Sequence, residues 1–196
     1  MNKPLKYAVF GAGSWATAIV KMLSENLDEI GWYMRSVYTK EHLLKEQHNP
    51  NYLSSVEFRL EQLRLSNDIN EMAHYADVLI FVIPSAFIYG ELEKINIDIS
   101  NKIIVSAVKG IVPETGLLVG EHFNKTYNTP HDNIAVVAGP CHSEEVALER
   151  LSYLTIACSD ENKAQTIARS LSGSYIKTKI SDDVIGIEYA VMLKNI

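Results

Sequence analysis

The stretch FGAGSWATA, residues 10–18, lies between an apolar run and an amphipathic segment. Gly11, Gly13 and Ala16 have the spacing G-x-G-x-x-[G/A] of a dinucleotide-binding turn. The first glycine permits a tight turn, the second lets the backbone approach a pyrophosphate, and the third position needs only a small residue. The order strand, turn, helix therefore predicts a phosphate-binding turn at a helix N-terminus. A strand–turn–helix with incidental glycines is the alternative.

Short apolar runs alternate with helical patterns along the rest of the chain. Strands are predicted at residues 7–12, 31–34, 77–83, 102–108, 133–139, 154–158 and 174–180. Helices are predicted at residues 15–26, 38–47, 85–94, 115–126, 141–149 and 160–171. Because the strands are continuously apolar, the pattern predicts a parallel α/β sheet buried by helices on both faces. Residues 48–62 are predicted to be a loop over the sheet edge.

The composition restricts the class of protein. A chain of 196 residues, 47% of them hydrophobic, fits one domain with the start of a second. The net charge of −6 argues against a nucleic-acid partner, and two cysteines are too few for a disulfide framework. The apolar run near the N-terminus is too short for a signal peptide or a membrane span. We therefore expect a soluble, cytoplasmic protein. No cluster of His, Cys, Asp or Glu in the sequence has the spacing of metal ligands, so no metal site is expected.

The final stretch, DDVIGIEYAVMLKNI, predicts a helix that starts at an acidic N-cap. Ile185, Tyr189, Met192 and Ile196 lie on roughly one face of it. The helical pattern continues to the last residue without a glycine, a proline or a polar cap. We therefore expect the chain to be a fragment of a longer protein.

The end of the second predicted strand bears on the choice of cofactor. An NAD-selective site usually has Asp or Glu there, about 20 residues beyond the glycines, to bind the ribose hydroxyls. Here the sequence is GWYMRS, with Arg35 at that place and Glu41 as the next acid along the chain. A guanidinium can pair with a 2′-phosphate, so NADP is favoured or at least tolerated. The alternative is that Arg35 is an exposed loop residue without a ligand.

Two further strand ends carry unusual residues. Lys109, in SAVKGIVPETG, is expected to be partly desolvated and to need an anionic partner, although it could instead cap a carbonyl or extend to solvent. The segment AGPCHSEEVA places Cys141, His142 and Ser143 at a helix N-terminus. A thiolate nucleophile or a histidine base would be possible there. No Cys–His–acid set is evident, so we expect neither covalent catalysis nor a catalytic role for His142.

Six segments together resemble bacterial NAD(P)-dependent glycerol-3-phosphate dehydrogenase in order and spacing. They are GAGSWATA, NPNYL, VIPS, SAVKGIVPETG, AGPCHSEEVA and DDVIGIEYAVMLKNI. The resemblance implies a Rossmann-like, doubly wound, mostly parallel NAD(P)-binding domain at residues 1–180. Residues 181–196 would begin the helix that leads to an all-helical substrate domain absent from this chain.

The resemblance also implies a reaction and a set of site residues. The reaction is reduction of dihydroxyacetone phosphate to sn-glycerol 3-phosphate with NADPH or NADH, for glycerophospholipid synthesis, by a homodimer when full length. The implied catalytic residues are Lys194, which exchanges a proton with the substrate oxygen, and Lys109, which contacts cofactor and substrate. The implied cofactor contacts are Gly11, Gly13, Ser14, Trp15, Arg35, Lys109 and Ser143. The implied substrate contacts are Lys109, Gly139 and Cys141.

The chain departs from the family pattern at three positions. Ala16 stands where Gly is usual, Cys141 where Ser or Thr is usual, and Ser143 where Ala is common. A thiol is a weaker hydrogen-bonding group than a hydroxyl, so the substrate contact could be affected. Each departure could shift affinity, and none removes the resemblance.

Two other functions stay open. The chain could belong to another NAD(P)-dependent dehydrogenase, acting on a hydroxy acid or a ketopantoate-like substrate, or to a non-catalytic nucleotide-binding module. The segments VKGIVPETG and GPCHSEEVA favour the glycerol-3-phosphate reaction over that of another dehydrogenase. Two lysines at one site would lower each other's pKa and so serve proton transfer. A non-catalytic nucleotide-binding module would not need such a pair. We expect residues 1–196 alone to bind NADP(H) weakly with little or no turnover, because the resemblance places further substrate-binding residues in the helical domain.

Overall fold

The continuously apolar runs of the sequence form one eight-stranded sheet in the computed structural model, which describes residues 4–193. Its strands, in chain order, are β1 (Tyr7–Phe10), β2 (Ile30–Tyr33), β3 (Leu63–Ser66), β4 (Val78–Phe81), β5 (Ile103–Ser106), β8 (Ile134–Ala138), β9 (Ser152–Cys158) and β10 (Ile176–Ser181). A separate two-stranded hairpin consists of β6 (Ile111–Val112) and β7 (Leu117–Leu118). The order across the sheet is β10-β9-β8-β5-β4-β1-β2-β3.

Helices cover both faces of this sheet. They are α1 (Ser14–Ser24), α2 (Val37–Glu46), α3 (Ile69–Tyr75), α4 (Ser85–Leu92), α5 (Val119–Tyr127), α6 (Ser143–Ala147), α7 (Glu161–Leu171) and α8 (Val184–Leu193), with short 3₁₀ turns at Leu60–Gln62 and His131–Asn133. Successive side chains of β1 enter opposite layers: Tyr7 and Val9 pack in one core, Ala8 and Phe10 in the other. A strand between two cores must be apolar at every position, which explains the unbroken runs.

The direction of the strands sets the course of the last helix. Strands β1 to β5 and β8 are parallel, whereas β9 pairs antiparallel with β8, as at Val137 and Ile156. Strand β10 pairs parallel with β9 and so ends, at Ser181, on the edge where β8 begins. Helix α8 therefore runs back along β8 toward the carboxyl edge of the parallel strands, where ligands bind in such sheets.

The predicted fold class is confirmed, and every predicted strand and helix is present with boundaries shifted by a few residues. Three further pieces were missed: β3, in which only Ser66 is fully buried, the seven-residue helix α3, and the hairpin of β6 and β7. The predicted start of a helix at 115 was wrong, because 115–118 belong to the hairpin and Gly116 has a φ of 67°. Among residues 4–193, no helix is long and apolar enough to cross a membrane.

Candidate functional site

The turn between β1 and α1 combines one crowded glycine with one open glycine. Gly11 has a φ of 129°, and a Cβ on it would lie 2.6 Å from the carbonyl oxygen of Val82. Only glycine fits there. Gly13 is the N-cap of α1, and a Cβ on it would meet nothing within 4 Å. The approach to the free N–H groups of α1, which starts with Ser14, is therefore open to an anion. Ala16 is completely buried, so a small residue is what the third position of the motif requires.

Two side chains from distant segments brace this turn. The indole Nε1 of Trp32, on β2, donates to the Gly11 carbonyl at 2.7 Å. The side-chain amide of Asn49 donates to the Ala12 carbonyl and to the Thr17 hydroxyl, both at 3.0 Å. Both side chains are fully buried, so the turn is fixed before any ligand arrives. Neither residue was assigned a role from the sequence.

The other end of Asn49 orders its own loop. Its Oδ1 accepts hydrogen bonds from the backbone N–H groups of Asn51 and Tyr52, at 3.0 and 3.3 Å. The segment NPNYL is thereby attached to the glycine turn through a single side chain. The signal that could have found this role is an asparagine before proline, a residue type that commonly bonds to nearby backbone.

A groove of about 270 Å³ lies on one side of the glycine turn. It is formed by the turn, by the carboxyl ends of β2 and β4, and by the first residues of α4. Its lining includes Gly11, Gly13, Tyr33, Arg35, Phe87 and Glu91. The groove therefore brings together three of the residues that the sequence analysis assigned to the cofactor.

Arg35 reaches over this groove from the end of β2, with its side chain 68% exposed. Its guanidinium lies 5.8 Å from the centre of the Phe87 ring, and Nη1 lies 3.7 Å from Oε1 of Glu91. Its contact with a ribose 2′-substituent stays a prediction. The acidic neighbour was missed, because it comes from α4 and not from the end of β2.

Glu91 is a buried carboxylate with firmly bound partners. Its Oε2 accepts from the Tyr33 hydroxyl at 2.6 Å, and its Oε1 accepts from Nζ of Lys94 at 2.7 Å. Burial alone would raise the pKa of the Glu91 carboxyl, but the hydrogen bonds from Lys94 and Tyr33 outweigh it and bring the pKa below its usual value. Glu91 is therefore ionised at neutral pH, and burial together with Glu91 raises the pKa of the Tyr33 hydroxyl.

A second cavity, of about 300 Å³, lies at the carboxyl ends of β5 and β8. Four residues that the sequence analysis selected line it together: Trp15, Lys109, Gly139 and Cys141. One face of α8 closes it from the side with Ile187, Ala190 and Val191. Lys194, the predicted catalytic lysine, lies outside the described residues.

The backbone after β8 is fixed by a second obligatory glycine. Gly139 has a φ of 146°, and a Cβ on it would overlap the carbonyl oxygen of Tyr153 on β9. The backbone N–H of Cys141 donates to the Gly139 carbonyl at 3.1 Å. Burial raises the pKa of the Cys141 thiol, so the group that faces the cavity is a protonated thiol and not a thiolate nucleophile.

Lys109 is exposed at the rim of this cavity. The expected partial desolvation was wrong: β5 ends at Ser106 and the next two residues are still buried, but Lys109 itself is exposed. Among residues 4–193, it makes no ion pair or side-chain hydrogen bond. The ammonium group is therefore available to an anionic ligand.

The two residues that follow Cys141 are not among those that line the second cavity. Ser143 is buried, and its hydroxyl donates to Oε2 of Glu144 at 3.1 Å, so it already has a partner within α6. His142 is exposed and makes no side-chain cap bond. Among residues 4–193, no group of three or more His, Cys, Asp or Glu side chains could hold a metal ion.

Helix α8 is held in place by a buried acid that the sequence analysis missed. Glu188 is 3% exposed, and its Oε1 accepts from the backbone N–H of Gly120 in the first turn of α5, at 3.1 Å. Burial raises the pKa of this carboxyl to about 7, against the lowering effect of the N–H groups of Gly120 and Val119. The contact fixes the helix that lines the second cavity.

The sheet order, the glycine turn and the two flanking cavities define a Rossmann-like α/β domain. The profile of the NAD-dependent glycerol-3-phosphate dehydrogenase N-terminus matches residues 6–164, and the chain belongs to this family. The resemblance inferred from the sequence is thereby confirmed.

Curated relatives agree with the family assignment. Glycerol-3-phosphate dehydrogenase (NAD(P)+) of Streptomyces griseus is 31% identical over all of this chain and 58% of its own length. The enzyme of the same name from Lactobacillus helveticus is 28% identical over 97% of this chain and 58% of its own length. The chain thus spans about 58% of the length of these relatives.

Solved structures agree with the fold. A glycerol-3-phosphate dehydrogenase of Plasmodium falciparum superimposes with a TM-score of 0.86 at 23% identity, over 98% of this chain and 56% of that chain. One from Coxiella burnetii gives 0.84 at 22% identity, over 97% and 58%. At such identities the likeness establishes the fold of the chain.

Proposed function

We propose that this chain is the cofactor-binding part of an NAD(P)-dependent glycerol-3-phosphate dehydrogenase. The proposed reaction is reduction of dihydroxyacetone phosphate to sn-glycerol 3-phosphate, which supplies glycerophospholipid synthesis. One observation carries the proposal: Gly11 and Gly13 line the groove with Arg35, and Trp15, two residues beyond this turn, lines the cavity with Lys109. A dinucleotide crosses a Rossmann-like sheet at this place, with its pyrophosphate at the helix N-terminus.

The residues present fit NADP or NAD. Because a Cβ on Gly13 would meet nothing within 4 Å, there is room for a pyrophosphate directly against the first turn of α1. The groove with Arg35 would hold the adenosine half, and the cavity beside Trp15 the nicotinamide half. Ser14 and Ser143 are proposed as further contacts. When bound, the nicotinamide supplies the two electrons and the hydrogen that reduce the carbonyl carbon.

The chain's own contribution to the reaction is orientation and proton supply. The Lys109 ammonium at the cavity rim would attract a phosphorylated substrate, and the Gly139–Cys141 segment would contact it. The substrate oxygen must gain a proton as the carbonyl becomes an alcohol. We assign that proton to Lys194, which follows directly on α8, the helix that closes the cavity. The homodimer, the cytoplasmic location and the domain boundary at residue 180 stay predictions.

Nucleotide binding is tested on the 196-residue chain by titration of its tryptophan fluorescence. Trp15 lines the cavity, so NADPH or NADH should quench its emission in a saturable way. A chain whose fluorescence and thermal stability respond to neither nucleotide would contradict the proposal, since a ligand of the folded state must stabilise it.

The reaction is tested on the longest natural polypeptide that contains these 196 residues. Oxidation of NADPH or NADH should depend on dihydroxyacetone phosphate, and Lys194→Met should reduce kcat far more than nucleotide affinity. Turnover of a hydroxy-acid or ketopantoate-type substrate with none of dihydroxyacetone phosphate would show another dehydrogenase. Binding without turnover of any of these would favour a non-catalytic module.

A further inference from the structure

The groove beside the glycine turn contains an acid, although the sequence lacks one at the end of β2. Glu91 comes from the last turn of α4 and lies among the groove residues with Arg35 and Tyr33. Nη1 of Arg35 is 3.7 Å from its Oε1. A cation and an anion therefore stand together where the sequence predicted a cation alone.

The carboxylate of Glu91 is fixed and cannot turn toward a ligand without losing its partners. The residue is 5% exposed, Tyr33 occupies one of its oxygens and Lys94 the other. Its influence on a ligand in the groove is therefore electrostatic. With Lys94 and Arg35 beside it, the cluster has a net charge of +1, whereas without the carboxylate it would be +2.

A nucleotide with a 2′-phosphate differs from its 2′-hydroxyl counterpart mainly by that phosphate's negative charge. Arg35 attracts this charge, and the carboxylate of Glu91 both repels it and partly neutralises the guanidinium. Because Glu91 is nearly excluded from water, the repulsion is screened less than between two exposed groups. The 2′-hydroxyl of the other nucleotide carries no charge and responds much less.

We propose that Glu91 is a specificity-determining residue, which limits the preference of this groove for a 2′-phosphorylated dinucleotide and so keeps the unphosphorylated one competitive. The inference rests on the proposed dinucleotide binding. It assigns to α4 the discriminating acid that is usual at the end of β2. Arg35 and Glu91 then set the choice between the two nucleotides by opposite effects.

The test is the ratio of the dissociation constant for NADH to that for NADPH, measured by fluorescence titration. Glu91→Gln keeps the size of the side chain and an oxygen that accepts from Tyr33, while it removes the charge. The ratio should rise about three- to tenfold, mostly through tighter NADPH binding. Glu93→Gln is the matched control, because Glu93 is an exposed acid two residues further on and outside the groove lining. It should leave the ratio unchanged.

A second variant acts in the opposite direction. Lys94→Met removes the cation that compensates Glu91, so the ratio should fall about two- to fivefold. The side chain of Lys94 is 50% exposed, and Tyr33 and Arg35 remain beside the Glu91 carboxylate. Lys94→Met should therefore fold, and it serves as the test where Glu91→Gln does not fold. General damage to the groove would weaken the binding of both nucleotides. It could not raise the ratio of dissociation constants in Glu91→Gln and lower it in Lys94→Met.

The outcomes separate this inference from the proposed function. An unchanged ratio in Glu91→Gln, or in Lys94→Met where the first variant does not fold, would overturn the role of Glu91 while nucleotide binding stands. An equal shift in Glu93→Gln would also overturn it, because net charge alone would then explain the result. No binding of either nucleotide to the unsubstituted chain would overturn the proposed function and this inference with it.

Discussion

Asn49 donates its side-chain amide to the carbonyl of Ala12 at 3.0 Å, across 37 positions of the chain. The same amide nitrogen reaches the Thr17 hydroxyl, so one buried side chain connects the glycine turn, the first helix and the loop after α2. Each buried polar atom in this group depends on the others for its hydrogen bonds. The shape of the phosphate-binding turn is therefore set partly by a residue outside the motif.

Asn49→Ala should lower both the stability of the fold and its affinity for nucleotide. The substitution leaves the Ala12 carbonyl and the Thr17 hydroxyl short of a donor in a buried place, which costs about 1–3 kcal/mol of unfolding free energy. Chemical denaturation measures that loss, and fluorescence titration should show weaker NADPH binding. Asn101→Ala, at an exposed asparagine, is the control and should change neither quantity. Stability equal to that of the unsubstituted chain would mean that the turn does not need this brace.

Gly13→Ala should weaken nucleotide binding without unfolding the chain. The added methyl meets no protein atom within 4 Å, and the loss of stability should stay below about 1 kcal/mol. It would occupy the space against the backbone that a pyrophosphate needs, so the affinity for NADPH and NADH should fall about tenfold or more.

The control for Gly13→Ala is Gly90→Ala on α4. A Cβ on Gly90 also meets nothing within 4 Å, but Gly90 lies inside a helix and outside the groove lining. This variant should be as stable as the unsubstituted chain or slightly more so, since alanine favours helix, and should bind nucleotide normally. Equal affinities for Gly13→Ala and the unsubstituted chain would contradict the placement of a pyrophosphate at this turn.

The sheet was largely predictable, because a strand buried on both faces must be apolar throughout. Strands β1 and β4 show this directly, with every residue buried. Strand β3 gave no such signal, because it lies at the sheet edge with Arg64 exposed between two half-buried leucines. The hairpin of β6 and β7 was missed for another reason: each strand has only two residues, and a run so short has no measurable period.

The site was predictable where a motif is contiguous and not where it depends on distant contacts. The tight turn at Gly11 and Gly13 was predicted from their spacing, and Gly139 was selected from a resemblance that covers its neighbours. Glu91 and Tyr33, in contrast, are 58 positions apart, and only the folded sheet brings α4 against the end of β2. No local pattern of residues encodes such a pair.

Arg35→Ala should lower the affinity for NADPH and leave that for NADH nearly unchanged. The guanidinium would bond a 2′-phosphate, and a charge-assisted contact of this kind contributes about 1.5–3 kcal/mol, or about ten- to a hundredfold in affinity. Arg169→Ala removes an equal charge from α7 and should have no effect on either nucleotide. If NADPH binds Arg35→Ala as well as the unsubstituted chain, the specificity assigned to this residue is wrong.

Glu188→Gln should stabilise the chain at high pH. Burial raises the folded-state pKa of this carboxyl to about 7 from a model-peptide value of 4.5, so the folded chain keeps a proton that the unfolded chain has lost. Stability is therefore lost as the pH rises from about 4.5 to about 7, by about 3 kcal/mol in total. Glutamine stays neutral, and its oxygen can still accept from Gly120, so the difference between variant and unsubstituted chain should grow over that pH range. Urea denaturation from pH 4.5 to 8 measures it, with Glu161→Gln, at an exposed acid on α7, as the control. A pH-independent difference would show that Glu188 does not titrate in this range. Burial of its carboxyl would then lower the free energy of unfolding by no pH-dependent amount.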